Sequence, residues 1–127
     1  MADLDDDRRA LVALAVSYCR NLDDRDSDAL REVFTPDATA QLGGSGQRGI
    51  DEICERLTTA LAPFVSWEHH IGNHAVTVDG DVATARCSVS ADHVRPAGES
   101  PPIYTVIGTY EDRLARTAAG WRITHRA

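Results

Sequence analysis

Apolar residues recur at helical spacing near the start of the chain, over about residues 7–22. One face of this predicted helix carries Leu11, Leu14, Ala15, Tyr18 and Leu22. An adjoining stripe runs through Val12, Val16 and Cys19 and ends at Asp23. A carboxylate at the end of an apolar stripe either turns to water or packs against the core, where it can take part in acid–base chemistry. Asp23 is therefore the first candidate site residue.

A second helix and a short strand are predicted next. Asp26 or Ser27 can cap a helix that extends to about Phe34. Residues 38–42 predict a short strand, and the glycine-rich residues 43–46 after it predict a loop. This glycine run lacks the residues of a phosphate-binding loop, so we interpret it as a plain connection.

A third helix is expected over about residues 50–62, ended by Pro63. Its predicted buried side carries Ile53, Cys54, Leu57 and Leu61.

A long hairpin occupies the centre of the chain. Two runs, residues 65–78 and 82–94, flank the dipeptide Asp79-Gly80, which favours a tight turn between antiparallel strands. Beside the turn, the expected pairs are Val78 with Asp81 and Val76 with Ala83.

The hairpin also needs a bulge. Its apolar positions are even-numbered near the turn but odd-numbered further out, so one extra residue must be absorbed, and Gly72-Asn73 is the expected place. With this bulge counted, the expected outer pairs are Ile71 with Val89, His69 with Ala91, and Trp67 with His93.

Four of the five histidines fall in this hairpin. The register places His69 and His93 on the inner face as diagonal neighbours, with backbones about 7–8 Å apart. We expect His70 and His74 to face outward or toward the rim. Histidine titrates near neutral pH, so the inner pair is a candidate for proton transfer.

The remaining pattern predicts two more strands, over about residues 103–116 and 121–125, after a proline-rich loop. Helices followed by antiparallel strands indicate an α+β fold in which a sheet wraps around helices. Aromatic side chains that could line a pocket inside such a fold, or belong to its core, are Tyr18, Phe34, Trp67, Tyr104 and Tyr110.

Length and composition limit the classes of partner that the chain is expected to have. At 127 residues the chain is expected to form one domain, and its net charge of −7 argues against nucleic acid as a partner. Its apolar runs are too short for a membrane span, and its acidic start is unlike a signal peptide, so we expect a cytoplasmic protein. The three cysteines lack metal or disulfide spacing, so we expect buried thiols. The expected partner is a small, weakly polar molecule.

Several segments together resemble the SnoaL-like branch of the nuclear-transport-factor-2-like superfamily. The resemblance rests on residues 21–26 with 34–38, His69-His70-Ile71-Gly72-Asn73, residues 79–83, 108–112 and 120–123. It implies a cone of three N-terminal helices packed on a strongly curved antiparallel sheet, with a pocket along its axis. The outer face of the sheet, which carries Thr84, Ser88 and Ser90, is only weakly charged, and relatives commonly pair through such a surface, so we expect a homodimer.

Within that superfamily the nearest functional parallel is scytalone dehydratase. The resemblance implies catalytic roles for Asp23, His69 and His93. Elimination of water next to a carbonyl also needs a donor to the developing enolate, and we assign this role to a tyrosine such as Tyr110. Leu22 stands where that family has a tyrosine, and Tyr110 where it has an asparagine. The predicted function is a cofactor-independent dehydratase acting on a small polyketide-like, aromatic, terpenoid-like or steroid-like substrate, with no metal.

Other functions stay open. A polyketide cyclase or ketosteroid-type isomerase would use Asp23 alone as acid or base, and a binding or assembly module would use no chemistry at all. A limonene-epoxide-hydrolase-like site is disfavoured because Arg86, the arginine on the second hairpin strand, is predicted to face outward.

Overall fold

The structure, a computed structural model, describes residues 3–127. Within this described part of the chain, three helices and six strands follow one another in an α+β order. They are α1 (Leu4–Asp23), α2 (Ser27–Arg31), β1 (Phe34–Leu42), β2 (Ser45–Arg48), α3 (Gly49–Leu61), β3 (Ser66–Asp79), β4 (Val82–Val94), β5 (Ile103–Thr117) and β6 (Gly120–Arg126).

Helix α1 begins one turn earlier than its apolar pattern predicts. The Asp3 side chain caps it by accepting a hydrogen bond from the Asp5 backbone N–H at 3.0 Å. Acidic residues fill the first turn, where the positive end of the helix dipole favours negative charge. Capping therefore extends the helix beyond its apolar stripe, whose buried members include Leu11, Tyr18, Cys19 and Leu22.

The region after α1 differs from the prediction in two places. Asp26 caps α2, as expected, but this helix ends at Arg31 and Phe34 already belongs to β1. Because Phe34 pairs with Ile123 of β6, the long-range ladder overrides the local helical pattern. Only part of the predicted loop over residues 43–46 is a connection: Gly43 and Gly44, at positive φ angles, form a hairpin turn, and Ser45 and Gly46 already belong to β2.

The outer register of the β3–β4 hairpin is confirmed. Ile71 lies opposite Val89, His69 opposite Ala91, and Trp67 opposite His93. The bulge falls between Gly72 and Ala75, and Asn73 has a φ of 55°.

The pairs predicted beside the hairpin turn are wrong. Val78 lies opposite Ala83 and Val76 opposite Ala85, because Gly80-Asp81 rather than Asp79-Gly80 occupies the turn. The inner face is unaffected, because the shift of two residues preserves the alternation.

The sheet order is β2-β1-β6-β5-β4-β3. All neighbours are antiparallel except β1 and β6, which run parallel, so the sheet is mixed rather than purely antiparallel. Helix α1 packs across the concave face against β3 and β6, and α3 packs against β1 and β2. The core lies between these helices and the curved sheet.

The first half of β5 has a partner on one side only. Pairing with β6 ends at Asp112, so the edge of β5 from Ile103 to Thr109 is unpaired on that side among residues 3–127. Its exposed apolar side chains are Ile103, Tyr104, Val106 and Ile107, and Ile107 is 82% exposed. No helix among residues 3–127 is both long and apolar enough to cross a membrane.

Candidate active site

The last turn of α1 places Asp23 directly against His69 of β3. Oδ1 of Asp23 lies 2.6 Å from Nδ1 of His69, and the His69 backbone N–H donates to Oδ2 at 2.9 Å. A carboxylate can only accept, so Nδ1 carries the proton and Nε2 of the neutral ring keeps its lone pair. The side chains of His69 and Asp23 are 7% and 20% exposed. This Asp–His pair, here called the dyad, can accept a proton at Nε2.

His93 lies beside the dyad. Its ring meets the His69 ring edge to face, with centroids 5.9 Å apart, and packs on Phe64 at 4.8 Å. Its Nδ1 lies 3.0 Å from the backbone carbonyl oxygen of Tyr104, so Nδ1 is the donor here as well. The structure thus brings Asp23, His69 and His93 together.

The dyad borders an open space of about 480 Å³ between α1 and β3, here called the dyad cleft. Its wall consists of Val16, Cys19, Arg20, Asp23, Asp24, Trp67, Glu68, His69, His70 and Ile71. His93 is buried at 8% exposure and does not line this cleft. Asp23 and His69 are therefore the members of the predicted group of three that border the dyad cleft.

A second space of about 300 Å³, the leucine cavity, lies on the other side of Trp67. Trp67 lines both spaces and is fixed by a 2.9 Å hydrogen bond from its Nε1 to the Leu22 carbonyl oxygen. The cavity is walled by Asn21, Leu22, Arg25, Ser27, Leu30, Cys54, Leu57, Thr58, Leu61, Ala62, Phe64 and Trp67.

The predicted pocket aromatics divide into two groups. Trp67 lines both spaces, and Tyr104 stacks on Phe64 beside His93. Tyr18 and Phe34 are 2% and 4% exposed and touch each other edge to face in the core. Tyr110 packs edge to face on Tyr18, away from the histidines. Tyr18, Phe34 and Tyr110 thus pack in or against the core and line neither space.

A buried ion pair in the core was missed by the sequence reasoning. Arg126 is fully buried, and its guanidinium donates to Asp112 through Nε and Nη2 at 2.8 and 2.7 Å. The guanidinium lies between the rings of Tyr18 and Tyr110, 4.1 and 4.0 Å from their centroids. Burial alone would lower the pKa of Arg126, but the hydrogen bonds and charge of Asp112 outweigh it and raise that pKa. This arginine stays charged.

The sequence reasoning missed this pair because β6 contains a bulge. Leu114 pairs with Ile123, but Arg113 pairs with His125, so β6 contains one extra residue. The bulge reverses the alternation and turns Arg126 rather than His125 toward the core. Arg86 does face outward as predicted, with Glu111 3.8 Å away.

The other hairpin histidines have different surroundings. His70 is exposed, with Nε2 3.0 Å from Glu68. The prediction for His74 is wrong: it is half-buried and lies with Leu11 and Leu14 of α1 around a small internal space. Its place follows from the bulge, because the even-numbered residues beyond it face inward.

All three cysteines are free thiols, and none suits nucleophilic chemistry. Burial raises the pKa of the Cys19 thiol to about 11, and it also raises the pKa values of Cys54 and Cys87. Within residues 3–127, no three or more His, Cys, Asp or Glu side chains form a cluster suited to a metal ion.

A family model described as a SnoaL-like domain matches residues 5–127. An uncharacterized protein of Mycobacterium tuberculosis is 36% identical over 124 residues, which covers 94% of this chain and 82% of that protein.

Solved structures agree with that match. A "putative aromatic ring hydroxylase" from Novosphingobium aromaticivorans is 33% identical with a TM-score of 0.87, over 98% of this chain and 89% of that one. A "putative scytalone dehydratase" from the same organism is 25% identical with a TM-score of 0.82, over 94% and 80% of the two chains. The fold is the nuclear-transport-factor-2-like cone, and the chain belongs to the SnoaL-like domain family.

Proposed function

We propose that the protein is a cofactor-independent acid–base lyase, a dehydratase acting on a small, largely apolar hydroxyketone of the polyketide-like, aromatic, terpenoid-like or steroid-like kind. The observation that carries the proposal is the hydrogen-bonded contact between Asp23 and Nδ1 of His69. This contact fixes one tautomer of the neutral ring and leaves its Nε2 unprotonated. Pairs of this kind are suited to general acid–base catalysis.

The proposed reaction is an elimination next to a carbonyl. Nε2 of His69 takes the proton from the carbon between the carbonyl and the hydroxyl-bearing carbon. The C–H electron pair forms an enolate, which then expels the hydroxyl group as the new C=C bond forms. The imidazolium returns its proton to the departing oxygen, so that water leaves and the enzyme regains its starting state.

Each proposed residue has a separate role in these steps. The Asp23 carboxylate offsets the positive charge that His69 acquires, and its second oxygen is held by the His69 backbone N–H. His93 does not line the cleft, so its proposed role is to position His69, whose ring it meets edge to face while its own Nδ1 donates to the Tyr104 carbonyl oxygen. Trp67 provides an apolar wall for the substrate. A volume of about 480 Å³ suits a small bicyclic molecule.

The similarity to a structure named as a scytalone dehydratase supports this class of reaction. The proposal is tested with a model compound of a size that the dyad cleft can hold. A bicyclic β-hydroxyketone that yields a naphthol on dehydration reports the reaction through fluorescence.

The test compares wild type, Asp23→Asn, His69→Gln and the control His70→Gln. His70 is the next residue along the same strand, but it is exposed and paired with Glu68. Asp23→Asn and His69→Gln should lower the dehydration rate at least ~10²-fold, because general acid–base groups contribute about 10²–10⁴-fold. His70→Gln should leave it unchanged. A dehydration rate with wild type no higher than the rate in buffer would reject this reaction class. Full activity in both dyad variants would reject the acid–base role of the dyad.

We also propose that the protein works as a cytoplasmic homodimer that pairs through the outer face of the sheet. On that face Ile107 is 82% exposed and lies opposite Ser90, next to Ser88 and Thr109. An exposed apolar residue within an uncharged patch favours association. Sedimentation should give a dimer for wild type and a monomer for Ile107→Lys, and a monomeric wild type at micromolar concentration would contradict the proposal.

A further inference from the structure

We propose that Arg95 is a positioning residue for the acid–base dyad, which it reaches through the rings of Phe64, Tyr104 and His93. The inference rests on the proposed function, because it assigns one more residue to the same reaction. Arg95 lines neither the dyad cleft nor the leucine cavity, so its role is separate from substrate binding. Its test includes a measurement without substrate, so the outcome does not depend on the reaction.

Arg95 directly follows β4 and begins the loop to β5. Its backbone N–H donates to the Pro102 carbonyl oxygen at 2.9 Å, which ties the two ends of this loop together. The side chain is half-buried, and its Nε is buried with no hydrogen-bond partner among residues 3–127. Within the same residues, no carboxylate forms an ion pair with the guanidinium. A half-buried cation of this kind needs another source of stabilisation.

Two aromatic rings supply that stabilisation. The guanidinium carbon of Arg95 lies 5.4 Å from the ring centroid of Tyr104 and 5.7 Å from that of Phe64. Both distances fall within the range of cation–π attraction, which extends to about 6 Å. The two rings are parallel to within 8°, with centroids 5.9 Å apart. Since one planar cation faces both rings, Arg95 holds them in a fixed relation to each other.

The same two residues fix His93. Its ring packs on Phe64 with centroids 4.8 Å apart, and its Nδ1 donates to the backbone carbonyl oxygen of Tyr104 at 3.0 Å. Tyr104 is also the residue opposite His93 in the ladder between β4 and β5. A shift of either Phe64 or Tyr104 therefore changes the plane of the His93 imidazole.

His93 carries the effect to the dyad. Its ring meets the His69 ring edge to face, with centroids 5.9 Å apart and planes at 80°. Asp23 fixes which nitrogen of His69 carries the proton, and the contact with His93 restricts rotation of the ring. A general base must point its lone pair at the proton that it removes. The direction of Nε2 in His69 thus depends on the contacts that begin at Arg95.

Three variants separate the charge of Arg95 from its shape and bulk. Arg95→Met keeps an apolar side chain without charge. Arg95→Lys keeps the charge but lacks the planar group that stacks on rings. Arg86→Met is the matched control, because Arg86 is an exposed arginine of β4 that lies near Glu111 rather than on a ring.

The Nδ1 proton of His93 reports the position of the ring without any substrate. In wild type it should give a slowly exchanging imidazole N–H signal in NMR, because it is buried and hydrogen-bonded. Arg95→Met should speed this exchange about tenfold, the size expected for loss of a partly desolvated cation–π contact, and should shift the Nε2 resonance of His69. Arg95→Lys should give an intermediate rate, and Arg86→Met should match wild type.

A second substitution tests the route through the rings. Tyr104→Leu removes one ring beside Arg95 but keeps the backbone carbonyl that accepts from His93. If Arg95 acts through that ring, Arg95→Met should speed the exchange less in the Tyr104→Leu background than in wild type. The full effect in both backgrounds would contradict the route.

Kinetics with the model hydroxyketone complete the test. Arg95→Met should lower kcat about tenfold and leave KM unchanged, because Arg95 lines neither space. Unchanged exchange and an unchanged His69 resonance in Arg95→Met would overturn the proposal, even if its melting temperature fell, since Arg95 would then only stabilise the fold. A raised KM with unchanged kcat would also overturn it. The expected NMR changes in a protein that does not dehydrate the compound would support the positioning role and reject only the proposed reaction.

Discussion

Two carboxylate pairs on the concave side of the sheet differ in one chemical respect. Asp23 contacts a histidine at the wall of an open cleft, and Asp112 contacts a fully buried arginine between two tyrosine rings. A guanidinium is not deprotonated in proteins, whereas an imidazole can gain or lose a proton near neutral pH. A buried ion pair by itself therefore does not indicate a reactive site, and the exchangeable proton together with access to the cleft distinguishes the dyad.

The largest expected effect on folding concerns the buried pair. Asp112→Asn should lower the free energy of unfolding by about 3–5 kcal/mol, because it leaves the buried Arg126 charge without its partner. Asp23→Asn should cost only about 1–2 kcal/mol, since the amide oxygen can still accept from His69. Urea unfolding of both variants measures this difference. Equal losses of unfolding free energy in the two variants would contradict the claim that one pair stabilises the fold and the other is reactive.

A third ion pair lies at the other end of α1, and it differs from the first two in how its contribution to the unfolding free energy should depend on pH. Asp7 accepts from Arg116 at 2.8 and 2.9 Å and from Trp121 Nε1 at 3.2 Å. The hydrogen bond from Arg116 is the main cause that lowers the pKa of Asp7 below its ordinary value of 3.8, against the opposing effect of desolvation.

A lowered pKa in the folded state gives a stabilisation that is present above the unfolded pKa and lost as the pH falls through the folded pKa. Wild type should therefore exceed Asp7→Asn in unfolding free energy by a constant amount near neutral pH. The difference should shrink only below about pH 4. Thermal melts at a series of pH values test this, and a difference that changes between pH 5 and 8 would contradict the assignment.

A smaller effect concerns the thiols. Cys19 lies between the two pairs, and its pKa of about 11 reflects burial first, with Arg126 lowering it and Asp23 raising it. Cys54 is only half-buried. Iodoacetamide near pH 8 should thus modify Cys54 first and leave Cys19 intact in the folded protein, as followed by peptide mass spectrometry. Faster modification of Cys19 would mean that the core around both pairs opens readily.

The sequence predicted the parts of the fold that depend on alternation and helical spacing. The register that joins Trp67 to His93 follows from one bulge, and the position of Asp23 follows from the stripe on α1. Two independent patterns therefore placed Asp23, His69 and His93 in the same region. The failures arose where a local pattern was overridden by distant pairing, as at Phe34, which joins β6 rather than continuing a helix.

The arginine in the core could not be found from alternation alone. Trp121 and Ile123 are inward, so unbroken alternation would place His125 inward and Arg126 outward. The extra residue in β6 reverses this, and the sequence Thr124-His125 carries no glycine or proline to mark a bulge. The shapes of the dyad cleft and the leucine cavity also depend on how Trp67 packs, which spacing does not specify.

The most direct test of the central claim is the proton position on His69. Nitrogen-detected NMR of the imidazole rings distinguishes the two neutral tautomers without any substrate. In wild type, His69 should carry its proton on Nδ1 and show an unprotonated Nε2, whereas the exposed His70 should show no such fixed state. A His69 ring protonated mainly at Nε2 would contradict the hydrogen bond to Asp23 and, with it, the proposed acid–base dyad.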